Sequence, residues 1–143
     1  MTAAVATAEV WTPRRHFRLP ADDEAFLDAS GYRWETVIEA GVPRLVIYGY
    51  LVPAGYTTAV VDLNLRIENG YPDTQIDMVY VTPPLVKASG GSIAALSSDQ
   101  FDGRSWQRWS RHRTGANPWR PGIDNVETHL AAVQHWFMRE IGR

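Results

Sequence analysis

Alternation of apolar and polar positions is clearest at residues 59–70, AVVDLNLRIENG. There Val61, Leu63, Leu65 and Ile67 share one face, and Asp62, Asn64, Arg66 and Glu68 share the other. A period of two marks a strand with one buried face in an antiparallel sheet. Two earlier runs, YRWETVIEAG and RLVIYGYLVPAG, are rich in β-branched and aromatic residues and meet at AGVP, so they read as a hairpin. After the turn GYPD, the run TQIDMVYVTPP reads as a fourth strand. It stops at Pro83 and Pro84, which lack the N–H that a ladder needs.

The period changes at both ends of the chain. LPADDEAFLDASG predicts a short helix: Pro20 opens it, Asp22, Asp23 and Glu24 suit its positive N-terminal end, Phe26 and Leu27 pack, and Gly31 stops it. A second helix is expected from Asp124, which can cap it, through Ile141, with Val126, Leu130, Val133 and Phe137 as its buried stripe. Between the fourth strand and this helix, residues 86–122 show neither period and are dense in Gly, Ser, Asn and Pro. A long irregular loop is expected there, and loops of that length are often functional. The fold class is therefore α+β: an N-terminal helix, a four-stranded antiparallel meander, a long loop and a C-terminal helix.

Length and composition narrow this reading without changing it. The 143 residues suit one domain, expected over 16–143 behind a flexible tail at 1–15. MTAAVATAEV carries no positive charge ahead of its apolar residues and Arg14 and Arg15 follow it, the wrong order for a secretory signal. Apolar residues at 45%, charged residues at 21% and no apolar run of about 18 residues suggest a soluble, cytoplasmic protein that does not engage a membrane. With no cysteine, thiol nucleophiles and thiolate metal sites are excluded. The histidines His16, His112, His129 and His135 lack the four-residue spacing of a helical zinc pair, so no metal is expected. SGGS at 89–92 opens no helix and is no phosphate cradle, and no cofactor is expected.

Candidate chemistry concentrates in GRSWQRWSRHRTGANPWRPG, residues 103–122. Five arginines face one acid over residues 101–120, on a chain whose net charge is -2. Guanidinium and indole groups also hold nucleic acid, but one local patch on a net acidic chain is thin support for it, and no nucleic-acid partner is expected. Ser110 and His112 stand at i and i+2, which in an extended segment places both side chains on the same side. Trp106, Trp109 and Trp119 read as packing residues.

Taken together, LPADDEAFLDASGYRWETV, LVPAGY, NGYPDTQIDMVYVTPPL and WQRWSRHR followed by WRPGIDNVETHL resemble prokaryotic E2 family E. That family is the bacterial branch of the ubiquitin-conjugating (E2, UBC-like) superfamily, and the resemblance covers residues 17–138. It implies a UBC-like fold and two partners, a ubiquitin-like modifier and an activating enzyme of the ThiF-like adenylyltransferase kind. Trp119-Arg120-Pro121 matches the Trp-x-Pro element that follows the catalytic cysteine in such enzymes, and Tyr71-Pro72 matches their Tyr-Pro turn. Counting back from Trp119 sets Ser110 about where that cysteine stands. The His-Pro-Asn tripeptide of the superfamily is absent.

The resemblance thus makes Ser110 the acyl carrier. A serine hydroxyl needs a base and donors for the oxyanion. His112 and Asp124 are both candidates for the base or its support. Asn117 is a substitute amide donor, Trp119 supports the loop, and Arg108, Arg111 and Arg113 favour an acidic partner surface. The expected function is transfer of a ubiquitin-like modifier through a serine oxyester. The alternative is an inactive module that binds the modifier or the activating enzyme without covalent attachment. A serine here is also what replacement of a native cysteine in a trapping variant would leave.

Overall fold

Residues 10–143 are described in a computed structural model; residues 1–9 of the expected tail lie outside the described residues. The elements, in chain order, are α1 (Ala21–Ala29), β1 (Arg33–Glu39), β2 (Val42–Leu51), β3 (Val60–Arg66), β4 (Val79–Thr82), β5 (Leu96–Phe101), β6 (Arg104–Trp109) and α2 (Val126–Ile141). All six strands form one antiparallel sheet in the order β1-β2-β3-β4-β6-β5. Ala40 and Gly41 join β1 to β2 with φ of 50° and 76°. Positive φ at both central residues is the two-residue turn whose twist matches that of the flanking strands.

The expected irregular stretch 86–122 is overturned at its centre by the β5–β6 hairpin. Its turn is Asp102-Gly103, again with both φ positive, at 54° and 71°. Apolar alternation is weak here because each face of the hairpin carries polar residues. Trp106 and Trp109, three apart, point to opposite faces and are both buried. The hairpin enlarges the expected four-stranded sheet to six strands.

One face of the sheet carries Leu45, Ile47, Leu63, Leu65, Val79, Val81 and Trp109. The expected stripe of α2, Val126, Leu130, Val133 and Phe137, is buried against it, and the Trp109 and Phe137 rings lie 4.9 Å apart edge to face. Each such side chain contributes about 1.5–3 kcal/mol through burial. No helix of the described residues is long and apolar enough to cross a membrane.

The second face bears a smaller cluster, Val37, Val46, Tyr80, Phe101 and Trp106. Here the hairpin reaches back over β1, β2 and β3 through charges. Asp99 meets Arg44 at 2.8 Å, Arg104 meets Asp62 at 2.9 Å, and Arg14 bridges Glu35 at 2.9 Å and Asp102 at 2.6 Å. The Arg14 guanidinium holds the Asp102 carboxyl below the usual range. Burial pushes Glu35 upward, but hydrogen bonds from Arg14 and Tyr48 outweigh it and hold Glu35 at about 2. Arg14 and Arg15, inside the stretch 1–15 read as tail, are thereby tied to the sheet, and Arg15 also forms a parallel bridge to Thr36.

The start of α2 lies one residue beyond the expected cap. Asn125, not Asp124, caps it: the Asn125 side chain accepts from Thr128 N, and the Thr128 hydroxyl accepts from Asn125 N. Asp124 is already committed to Arg120.

Candidate active-site segment

Residues 110–112 continue β6 beyond Trp109, and the backbone fixes them on both sides. Ser110 N donates to Ala95 O at 3.1 Å, and Met78 N donates to Arg111 O at 3.1 Å. Ala95 and Met78 both hold left-handed backbone, with φ of 57° and 60°. A side chain at positive φ is strained, and such residues persist only where the surroundings fix them. Two of them flank the segment that carries Ser110.

Ser110 is half-buried at the point where β6 leaves the sheet. His112 is exposed, and its Nδ1 lies 2.8 Å from Asp77 Oδ2. A carboxylate opposite Nδ1 favours the tautomer with hydrogen on Nδ1, which leaves the lone pair on Nε2. No hydrogen bond joins Ser110 to His112 among the described residues. Asp77 went unnoticed in the sequence, since it stands 35 positions before its partner in a run read as a strand.

A cavity of about 170 Å³ opens beside His112, lined by Arg111, Trp136, Arg139, Glu140 and Arg143. Buried Glu140 anchors it, accepting from Arg111 at 3.1 Å and facing Lys87 at 3.8 Å.

Asp124 is separate from this pair. Its carboxylate accepts from Arg120 N at 2.7 Å, Nε at 3.2 Å and Nη2 at 3.1 Å, and the Arg120 side chain holds it at about 2. An ionised, buried group held by three donors cannot take a proton near neutrality. Asp124 thus braces the turn before α2 through Arg120, and no hydrogen bond joins it to Ser110 or His112 among the described residues.

The arginines expected to face a partner, Arg108, Arg111 and Arg113, are half-buried. Arg111 donates to Ala94 O and Glu140 while stacking on Trp109. Arg113 lies over the Trp119 ring and reaches His129 Nδ1 at 3.4 Å. Arg108 is half-buried on β6 between Tyr80 and Ser97, and its Nε has no partner. Arg111 is thus held by interior contacts, whereas Nε of both Arg108 and Arg113 has no partner.

His129 of α2 is buried and bonded through Nε2 to Met78 O at 2.9 Å, and burial pushes it down to about 4. It stays neutral near pH 7 and pins the strained Met78 to the helix.

Trp119 and the Tyr-Pro turn meet. Trp119 Nε1 donates to Pro72 O at 3.0 Å, and its ring lies 6.2 Å from that of Tyr71. The Tyr71 hydroxyl bonds Asp23, whose other oxygen accepts from Val126 N at the start of α2. This chain of contacts ties the segment after Ser110 to α1 and α2. Asn117 stands exposed on a turn closed by its N–H to Thr114 O.

Among the described residues no three His, Cys, Asp or Glu side chains gather as a metal site. No curated protein and no solved structure matches the chain. The model of one family, described as Prokaryotic E2 family E, matches residues 19–140 and so spans both the sheet and the segment around Ser110. The six-stranded α+β architecture with two helices is compatible with an E2-like fold, and the chain belongs to prokaryotic E2 family E, a conjugating-enzyme-like module.

Proposed function

We propose that this protein receives the C-terminal acyl group of a ubiquitin-like modifier from an activating enzyme as an oxyester on Ser110 and passes it to an acceptor. The observation that carries this reading is the segment 110–112. A half-buried serine follows β6 between two strained residues, and two positions on, a histidine is oriented by Asp77 with its Nε2 unengaged.

In the loading step the Ser110 oxygen attacks the acyl carbon of a thioester on the activating enzyme. The O–C bond forms, the C–S bond breaks, the thiolate departs, and the hydroxyl proton passes to His112 Nε2. Between the steps the imidazolium releases its proton to solvent. In the second step an acceptor amine or hydroxyl attacks the ester carbonyl, its proton passes to His112 Nε2, and the imidazolium returns that proton to the departing Ser110 oxygen. Asp77 holds the orientation of the imidazole in both steps. The cavity beside His112, with Arg111 and Arg139 on its wall, is the approach for the acceptor. Asn117, exposed beyond this segment, is the amide assigned to the oxyanion.

A second reading, binding without covalent attachment, is favoured by the lack of a hydrogen bond between Ser110 and His112 in the free protein. Incubation with the activating enzyme, modifier and ATP separates the two. The oxyester reading expects an adduct that resists thiol reductant, yields to hydroxide and is absent in Ser110→Ala. His112→Ala should slow its formation by about 10²–10⁴-fold. The same adduct in Ser110→Ala sinks the proposal, and tight binding with no adduct favours the non-covalent module.

A further inference from the structure

The two edges of the sheet are treated differently. At the β1 edge the chain covers its own backbone: Thr36 N donates to Arg14 O, Thr36 O accepts from His16 N, and Ile38 N donates to the His16 imidazole at 3.0 Å. At the other edge stands β5, and among the described residues no strand or bridge lies against its outer side.

The register shows which groups are open. Phe101 and Arg104 close the two-residue turn as a mutually bonded pair, so Phe101, Asp99 and Ser97 bond to β6. Leu96, Ser98 and Gln100 therefore direct their N–H and C=O groups outward. Ser110 N bonding Ala95 O continues the same alternation. The usual protections of an edge are missing: β5 has no proline, lysine or bulge, and its one charge, Asp99, is turned onto Arg44.

We infer that the outer edge of β5 is a strand-addition site for the extended C-terminal tail of the modifier, which pairs antiparallel to β5 so that its end arrives at Ala95 and Ser110. This rests on the oxyester reading for the identity of the occupant. An antiparallel strand on β5 runs from the Phe101 end to the Leu96 end, where Leu96 pairs Trp109 and the residue that follows β6 is Ser110. Six residues of extended tail, about 20 Å, match the six of β5. To reach Ser110 the last residues must cross Ala95, which is exposed and offers only a methyl group. Small terminal residues fit that crossing. Alternate side chains of the added strand fall over a groove of about 420 Å³ bordered by Pro84, Leu96, Ser98, Ser105 and Gln107. Main-chain hydrogen bonds supply affinity in such a pairing, and the groove supplies selectivity.

The probe is a synthetic octapeptide, acetyl-Thr-Val-Arg-Val-Thr-Val-Gly-Gly with a free carboxylate, titrated into the ¹⁵N-labelled full-length protein. Strand addition expects the Ser98 and Gln100 amide signals to shift and their hydrogen exchange to slow by about tenfold or more at saturation. A spin label at the peptide N-terminus should broaden Phe101 rather than Leu96. Ser98→Pro, which removes an outward N–H and spares the ladder to β6, should abolish the shifts, whereas Ser98→Ala keeps them. Shifts confined to other elements, broadening at Leu96, or β5 amides already protected without peptide by self-pairing or by residues 1–9 would each overturn the proposal. The peptide seated on β5 of a protein that never forms an adduct refutes the oxyester and retains strand addition. Loading with the full modifier at an unchanged rate in Ser98→Pro does the reverse.

Discussion

The two faces of the sheet solve the same problem with different forces. The α2 face is apolar and most of its polar atoms are paired: Trp109 Nε1 donates to Gln107, the Tyr56 hydroxyl donates to Phe137 O, and both His129 nitrogens have neighbours, leaving Asp77 Oδ1 and Arg113 Nε near its rim without a partner. The face under the hairpin has one small cluster, four ion pairs around it, and buried polar atoms without a partner in the protein: Arg44 Nε and Nη1, both amide atoms of Asn64, and Arg108 Nε. An unpartnered buried polar atom costs about 1–3 kcal/mol. The helix-covered face thus holds the fold, while the hairpin-covered face holds the hairpin, from whose root Ser110 emerges.

The largest expected contrast is a cavity on the first face. Trp109→Ala removes a fully buried indole packed on Phe137 and should cost about 3–5 kcal/mol in urea unfolding, with little change between low and high salt. Next is pH. Burial lowers the His129 pKa to about 4 in the fold against 6.5 unfolded, so the neutral form stabilises the fold above pH 6.5. As pH falls from 6.5 to 4 the unfolded chain takes up the proton first, and about 3 kcal/mol should be lost. His129→Gln, which can still donate to Met78 O, should flatten that slope.

A smaller effect of opposite sign is expected on the second face. Asn64→Leu discards two unpartnered polar atoms and should be neutral or stabilising by about 1 kcal/mol in the urea midpoint. A loss of more than about 2 kcal/mol would mean that the amide makes a bond that counts. The smallest is the Arg14–Asp102 pair at the hairpin tip, half-exposed on both sides. A double-mutant cycle should give a coupling below about 1 kcal/mol that shrinks in 0.5 M salt, unlike the Trp109 effect.

The same contrast explains what the sequence made legible. β3 was plain because one of its faces is wholly apolar, and α2 because its stripe is regular. β5 and β6 were hidden because LSSDQF and RSWQRW put polar residues on both faces. The usable signal was Asp102-Gly103, a turn pair that favours a two-residue hairpin. Asp124 looked like the cap because it is acidic and precedes the stripe. The Arg120 side chain, four positions back, had already claimed it. Ser110 was singled out by its spacing from Trp119 in the family resemblance, whereas Asp77 was not, since only the pairing of β4 beside β6 brings it to His112.

The most direct test of the central claim exchanges one atom. With activating enzyme, modifier and ATP, the protein with Ser110 should form an adduct that survives thiol reductant. Ser110→Cys should form one at the same position that the reductant cleaves, because the linkage has become a thioester. Adducts of identical stability in the two proteins, or an adduct in neither, would contradict a modifier carried on residue 110.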